Sequence, residues 1–151
     1  GILDKPYNFL TQPFAAKIVI ILALLWRWTG YNMVFFLSGL QNIEYSVYEA
    51  AKIDGASAIQ TFFKITVPLL KPTILLTAIM STNGTLQLFD ESINLTDGGP
   101  ANASISMSHY IYNLCFKYVP NFGYAAAMSF FILLLVAVLA LIQMRVGDKR
   151  D

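Results

Sequence analysis

Few residues in this chain have types and spacings that suggest chemistry, and the most suggestive are Asn83, Gln87 and Asp90. Spacings of four and then three put them on one face of a helix, each about a turn above the last. Two amides and a carboxylate offer donors and acceptors together, which suits a ligand rich in hydroxyl groups. Gly84 beside them would let such a ligand approach the backbone, and Phe89 offers a ring for an apolar surface to stack on. The same face could equally hydrogen-bond to neighbouring helices, as polar residues in apolar segments often do.

Catalysis finds less support. His109 is the only histidine, so a Ser/His/Asp triad would have to use it, and nothing near it in sequence suggests a nucleophile. Asp90 and Glu91 are adjacent, not spaced as a working pair. Cys115 stands alone, which excludes an internal disulfide, and no metal-ligand spacing surrounds it. No GxxxxGK[ST] phosphate loop occurs, so the chain itself is not expected to hydrolyse ATP. The expectation is no catalytic residue, no metal and no cofactor.

The elements that must position these residues are apolar. The chain is 56% hydrophobic and 13% charged, with mean hydropathy +0.58, against about 25% charged for soluble domains. A net charge of +1 without a basic stripe gives no reason to expect nucleic acid. Three membrane spans are predicted, at about 14–40, 69–89 and 122–144, since about 20 helical residues cross a bilayer. The last is uncharged from Tyr124 to Met144, and its Ala125-Ala126-Ala127 start allows close helix approach. The middle one is polar for a span, with Thr77, Ser81, Thr82 and Thr85 besides the amides, so it should face protein or water. In the first, Arg27 lies between Trp26 and Trp28. It is either an interfacial arginine with aromatic neighbours in a tilted helix or an interior one bound to a partner helix or carboxylate. Residues 94–121 read as an external loop, with Asp97-Gly98-Gly99-Pro100 as its turn and Tyr110, Tyr112 and Tyr118 as an aromatic belt.

Between the first two spans, Ser46 to Pro68 is the one long amphipathic stretch (within a loop at 41–68). Ser46 followed by Glu49, and Ser57 followed by Gln60, are two capping-box signatures, each starting a short helix. Asp54-Gly55 between them supplies the left-handed residue that a helix end needs. Pro68 is expected to end the second helix. The stretch therefore reads as helix, sharp turn, helix, with Val47, Ala50, Ala51, Ile59, Phe62 and Phe63 as an apolar surface that fits a partner.

Glu49-Ala50-Ala51, then Gly55, Ile65 and Val67-Pro68, resemble the EAA loop of permease subunits in binding-protein-dependent ABC importers. Valine stands at 67 where that family usually has leucine. The string from Glu49 to Thr73 is similar to the carbohydrate branch, which imports maltose, lactose, raffinose, multiple sugars and glycerol phosphate. Leu95–Pro100 and Phe122–Ala127 resemble later landmarks of that branch, and the likeness covers nearly the whole chain. It implies an all-α membrane protein, the C-terminal part of a type I importer permease with about three transmembrane helices and a cytoplasmic coupling elbow. Glu49, Ala50, Ala51, Asp54, Gly55, Ala56, Phe62, Ile65 and Pro68 would then couple to an ATPase. The cargo would be a sugar, expected to be an oligosaccharide, and Asn83, Gln87 and Asp90 are offered for it by their spacing and chemistry, not by a match to the family's pattern. Implied partners are ATP-binding cassette subunits, a second and different permease subunit, an extracellular or periplasmic sugar-binding protein and the bilayer. The alternative is a membrane-embedded enzyme or receptor subunit with an interfacial amphipathic helix.

Charge placement gives an orientation. Lys52, Lys64, Lys71, Arg145, Lys149 and Arg150 fall on the elbow side, with only Lys5 and Lys117 opposite, which puts elbow and C-terminus in the cytoplasm of a bacterial cell. Gly1 would then lie outside with no signal peptide before it, so an earlier span is expected to be missing.

Overall fold

The computed structural model describes residues 9–147. Lys5, Lys149 and Arg150, used above for orientation, lie outside the described residues. Every regular element among the described residues is helical: α1 (Pro13–Gln41), α2 (Tyr45–Ile53), α3 (Ala58–Leu69), α4 (Lys71–Leu86), α5 (Asp90–Thr96), α6 (Met107–Tyr112) and α7 (Phe122–Gly147), with short 3-10 turns at Phe9–Thr11 and Pro100–Asn102. A π-helical turn, Asn113–Lys117, continues α6. The chain divides into two compact units, one running through Arg27 and Thr82–Leu139, the other through Trp28–Ser81 and onward from Ala140.

Helices α1 and α7 are long and apolar enough to cross a membrane, close to the expected 14–40 and 122–144. The middle element differs from its expected form. Helix α4 starts at Lys71 and stops at Leu86, and it reaches span length only together with α3, from which it is bent by 65°. Pro68 does not end α3, which runs on to Leu69. It sits in the last turn of α3, just after the π-helical turn Phe62–Thr66. The bend falls at Leu70, between Pro68 and Pro72, because Pro72 has no N–H to give to the carbonyl four residues back.

In the second unit, Asn32 on α1 and Ser81 on α4 exchange hydrogen bonds of 3.1 and 3.3 Å, and a Cβ on Gly39 would lie 2.9 Å from both Leu70 and Thr73. Polar pairs and small residues of this kind bind apolar helices to each other where burial of apolar surface cannot.

The expected external loop, 94–121, is largely helical. Asp97 adopts φ 45°, Gly98 φ 90° and Gly99 φ 68°, and the chain folds back so that the Ser104 N–H reaches the Gly98 carbonyl at 2.9 Å. A Cβ on Gly98 would come within 2.7 Å of Ile105, so the turn needs glycine for space as well as for φ. Ser106 then caps α6 by accepting from the His109 N–H at 3.1 Å.

Candidate functional site

The elbow forms as helix, turn, helix, and its backbone explains the spacing of its residues. At the end of α2 the Ala56 N–H bonds to the Ala51 carbonyl at 3.0 Å and the Gly55 N–H to the Lys52 carbonyl at 3.2 Å. This is a Schellman stop with Gly55, φ 77°, at the left-handed position. Two residues later Ser57 opens α3 with a complete capping box: its N–H donates to Gln60 Oε1 at 2.8 Å, and its hydroxyl accepts from the Gln60 N–H at 3.3 Å. The other expected box does not form. Helix α2 begins at Tyr45 with Glu44 as its cap, which leaves Ser46 inside the first turn, where its hydroxyl donates to Glu44 Oε2 at 3.2 Å.

Of the expected coupling residues, Glu49, Ala50, Asp54, Gly55, Phe62 and Pro68 are exposed, Ala56 and Ile65 are half-buried, and Ala51 is buried. The apolar surface is Ile59, Phe62 and Phe63, the last two in edge contact at 5.0 Å, with Val47 half-buried. Sequence reasoning missed Ile53, which is 86% exposed at the tip of α2. It also missed the bond that closes the elbow, Tyr48 Oη to Thr66 Oγ1 at 3.3 Å. Thr66 ends a π-helical turn, Phe62–Thr66, whose extra residue no periodicity rule would supply. Between the two helices lies a groove of about 480 Å³ whose lining includes Tyr48, Lys52, Ala56, Phe62 and Thr66.

The polar face comes together only in part. Gln87 Nε2 donates to Asn83 Oδ1 at 2.8 Å, and both side chains are exposed. Asp90 is not on this face: α4 ends at Leu86 and Phe89 turns at φ −134°, ψ −55°, so Asp90 opens a new helix. Phe89 is engaged by other rings, with centroids 5.4 Å from Tyr112 and 6.1 Å from His109. Gln87 borders a mostly apolar cavity of about 580 Å³, shared with Ser108, Ile111, Ser129 and Ile132.

Arg27 is bound to carboxylates: its Nη1 lies 2.8 Å from Glu91 Oε1 and 3.9 Å from Asp90 Oδ2. Glu91 is 9% exposed at the side chain against 73% for Asp90, so the adjacent carboxylates do different work. Glu91 fixes the arginine, while Asp90 stays largely in the open.

A Ser/His/Asp grouping does form, from residues too far apart in sequence to suggest it. Ser92 Oγ lies 2.8 Å from His109 Nδ1, and Asp97 Oδ1 lies 3.7 Å from Nε2. Ser92 and His109 are fully buried, and the hydroxyl is already taken by the Ser104 carbonyl at 2.8 Å and the Ser106 N–H at 3.3 Å. No substrate can reach it, so the cluster holds the fold together. Burial drives the imidazole below its ordinary value, Asp97 opposes that, and Lys117 adds to it. Among the described residues no group of His, Cys, Asp and Glu could hold a metal.

Comparison with known proteins accounts for the arrangement. A lactose transport system permease protein of Rhizobium radiobacter is 55% identical over 99% of this chain and 51% of its own length. A trehalose/maltose transport system permease of Thermococcus litoralis is 37% identical over 97% of this chain and 49% of its own. Among solved structures, a bacterial ABC transporter involved in import of the acidic polysaccharide alginate superposes with TM-score 0.82 at 26% identity, over 98% of this chain and 52% of that one. The chain thus spans about half the length of the curated relatives it matches. Residues 7–150 match the family described as binding-protein-dependent transport system inner membrane component, and this chain belongs to that family.

Proposed function

We propose that this chain is part of the membrane-spanning permease of an ATP-driven importer that carries a sugar, of oligosaccharide size, across a bacterial inner membrane. The observation that carries the reading is the elbow. A Schellman stop and a capping box two residues apart hold two short helices rigidly, and Ile53, Ile59 and Phe63 stand exposed at 86%, 72% and 66%. Apolar surface of this kind on a rigid projection fits a protein partner. That partner is an ATP-binding cassette subunit, met by Glu49, Ala50, Ala51, Asp54, Gly55, Ala56, Phe62, Ile65 and Pro68. ATP-driven closure of two such subunits would move the elbow and rock the spans between inward- and outward-open states. A second, different permease subunit and an external sugar-binding protein complete the importer.

The relatives named above, and an arabinooligosaccharides transport permease of Bacillus subtilis at 34% identity, support a saccharide cargo. Asn83 and Gln87 are the residues of this chain best suited to sugar hydroxyls, since an exposed amide pair on a polar stretch of α4 can exchange its mutual bond for bonds to a ligand. Asp90 stands near them beyond the break.

The deciding experiment is cross-linking from Ile53→Cys in a Cys115→Ser background. In membranes holding the whole transporter it should join this chain to a subunit that binds ATP. Reaction only with lipid-borne reagents would mean that the elbow lies on the bilayer, and the coupling reading would fall.

A further inference from the structure

His109 has a role that the transport reading does not use. Its ring is wholly buried between α5, the fold-back after it and its own helix. Among the described residues the charged groups facing it are Asp97, at the end of α5, and Lys117, in the π-helical turn; Ser92, Ser106 and the rings of Phe89 and Tyr112 supply the uncharged surroundings.

Counting hydrogens fixes the tautomer. Ser92 has one hydroxyl hydrogen. The Ser104 carbonyl, 2.8 Å away, can only accept, so it takes that hydrogen, and the Ser106 N–H donates into the same oxygen. His109 Nδ1 must therefore carry a proton and donate to Ser92 Oγ. Nε2 is left with a lone pair, buried and without a hydrogen-bond partner, 3.7 Å from the Asp97 carboxylate. That carboxylate is already held by Lys117 Nζ at 3.0 and 3.1 Å.

A proton taken up by the imidazole can only go to Nε2. It creates an imidazolium in a fully buried position whose one neighbouring anion is committed elsewhere. Burying a charge that is not fully paired is costly.

We propose that His109 is an acid-release latch: proton uptake on Nε2 frees the fold-back of residues 97–106 from α6, so that the imidazolium reaches water. The neutral form is the one the closed arrangement favours. Its stabilisation is complete above the ordinary imidazole value and is lost as pH falls below it. The ring packs edge-on against Phe89, so release is transmitted to the break that follows Gln87.

Ala103, half-buried in the fold-back, is the reporter. The whole transporter carrying Cys115→Ser and Ala103→Cys is solubilised in detergent, which makes the result independent of membrane orientation and of the cargo. Maleimide labelling is measured relative to the same thiol in denatured protein at each pH. The relative rate should rise at least about fivefold between about pH 7.5 and about pH 5. In His109→Gln it should stay flat. Lys117→Gln removes a charge that disfavours the closed imidazolium and frees Asp97 to pair with it, so the acid-induced rise should shrink; Asp97→Asn should enlarge it. An acid-induced rise that survives His109→Gln overturns the proposal. If that variant does not assemble, the Lys117→Gln arm decides, and an undiminished rise overturns it.

Discussion

At the scale of single residues, Gly55 and the Arg27–Glu91 pair are the positions with most at stake. A Cβ on Gly55 would meet nothing within 4 Å, so any intolerance there is conformational, set by φ 77°. A residue forced into that region costs about 1–3 kcal/mol, least for asparagine and most for a β-branched side chain. Gly55→Val should therefore abolish sugar uptake while the assembled complex still hydrolyses ATP, and Gly55→Asn should keep both; vesicle uptake assayed beside ATPase rate separates these outcomes. For the ion pair the two truncations are unequal. Arg27→Gln strands a carboxylate that is 9% exposed, costing about 1–3 kcal/mol, whereas Glu91→Gln leaves an arginine 43% exposed with Asp90 in reach. Thermal denaturation of the detergent-solubilised complex should rank Arg27→Gln as the more harmful, and equal melting points would contradict the asymmetry.

At the scale of elements, legibility followed the range of the interaction. The Gly55 stop and the Ser57 cap are local hydrogen-bond devices, and Asp54, Gly55, Ser57 and Gln60 announce them. The same rule failed at Ser46 because Glu44 two residues earlier captured the helix start, and a spacing rule cannot rank competing caps. The face of Asn83, Gln87 and Asp90 was inferred by extending helical periodicity past Leu86. No proline marks the break at Phe89, since it is held from outside by Tyr112, His109 and the Arg27–Glu91 pair. The Ser92–His109 contact spans seventeen residues and carried no local signal at all. One functional consequence follows for α4. Asn83 and Gln87 bond to each other on an exposed surface, so removing either should change stability by no more than about 0.5 kcal/mol. Asn83→Ala and Gln87→Ala should then weaken sugar uptake or alter preference among sugars with assembly intact. Loss of expression, with normal transport by whatever assembles, would make the pair structural.

At the scale of the whole molecule, the sequence made the two long spans legible because hydropathy is additive along a helix: Pro13–Gln41 and Phe122–Gly147 need no partner to be recognised. The middle element was harder to read, since α4 has only 16 residues and its apolar continuation lies across a 65° bend in α3. If the bent α3–α4 pair makes one crossing, with the start of α3 outside the membrane as part of the elbow, the elbow lies on the opposite side from the fold-back at 97–106. We propose, from lysine and arginine placement, that the elbow, with Lys52, Lys64 and Lys71, faces the cytoplasm. On that proposal the fold-back would face outward, where external pH could act on His109. Exposed positions on each side test this directly: Asn102 and Lys52 are both open at the surface. In intact cells with Cys115→Ser, a cysteine at 102 should react with an impermeant maleimide and one at 52 should not, until the membrane is opened. Labelling of both from outside would mean that the α3–α4 pair does not cross. Labelling of position 52 alone would invert the chain, placing the elbow beyond the reach of any cytoplasmic ATPase and removing the coupling mechanism with it.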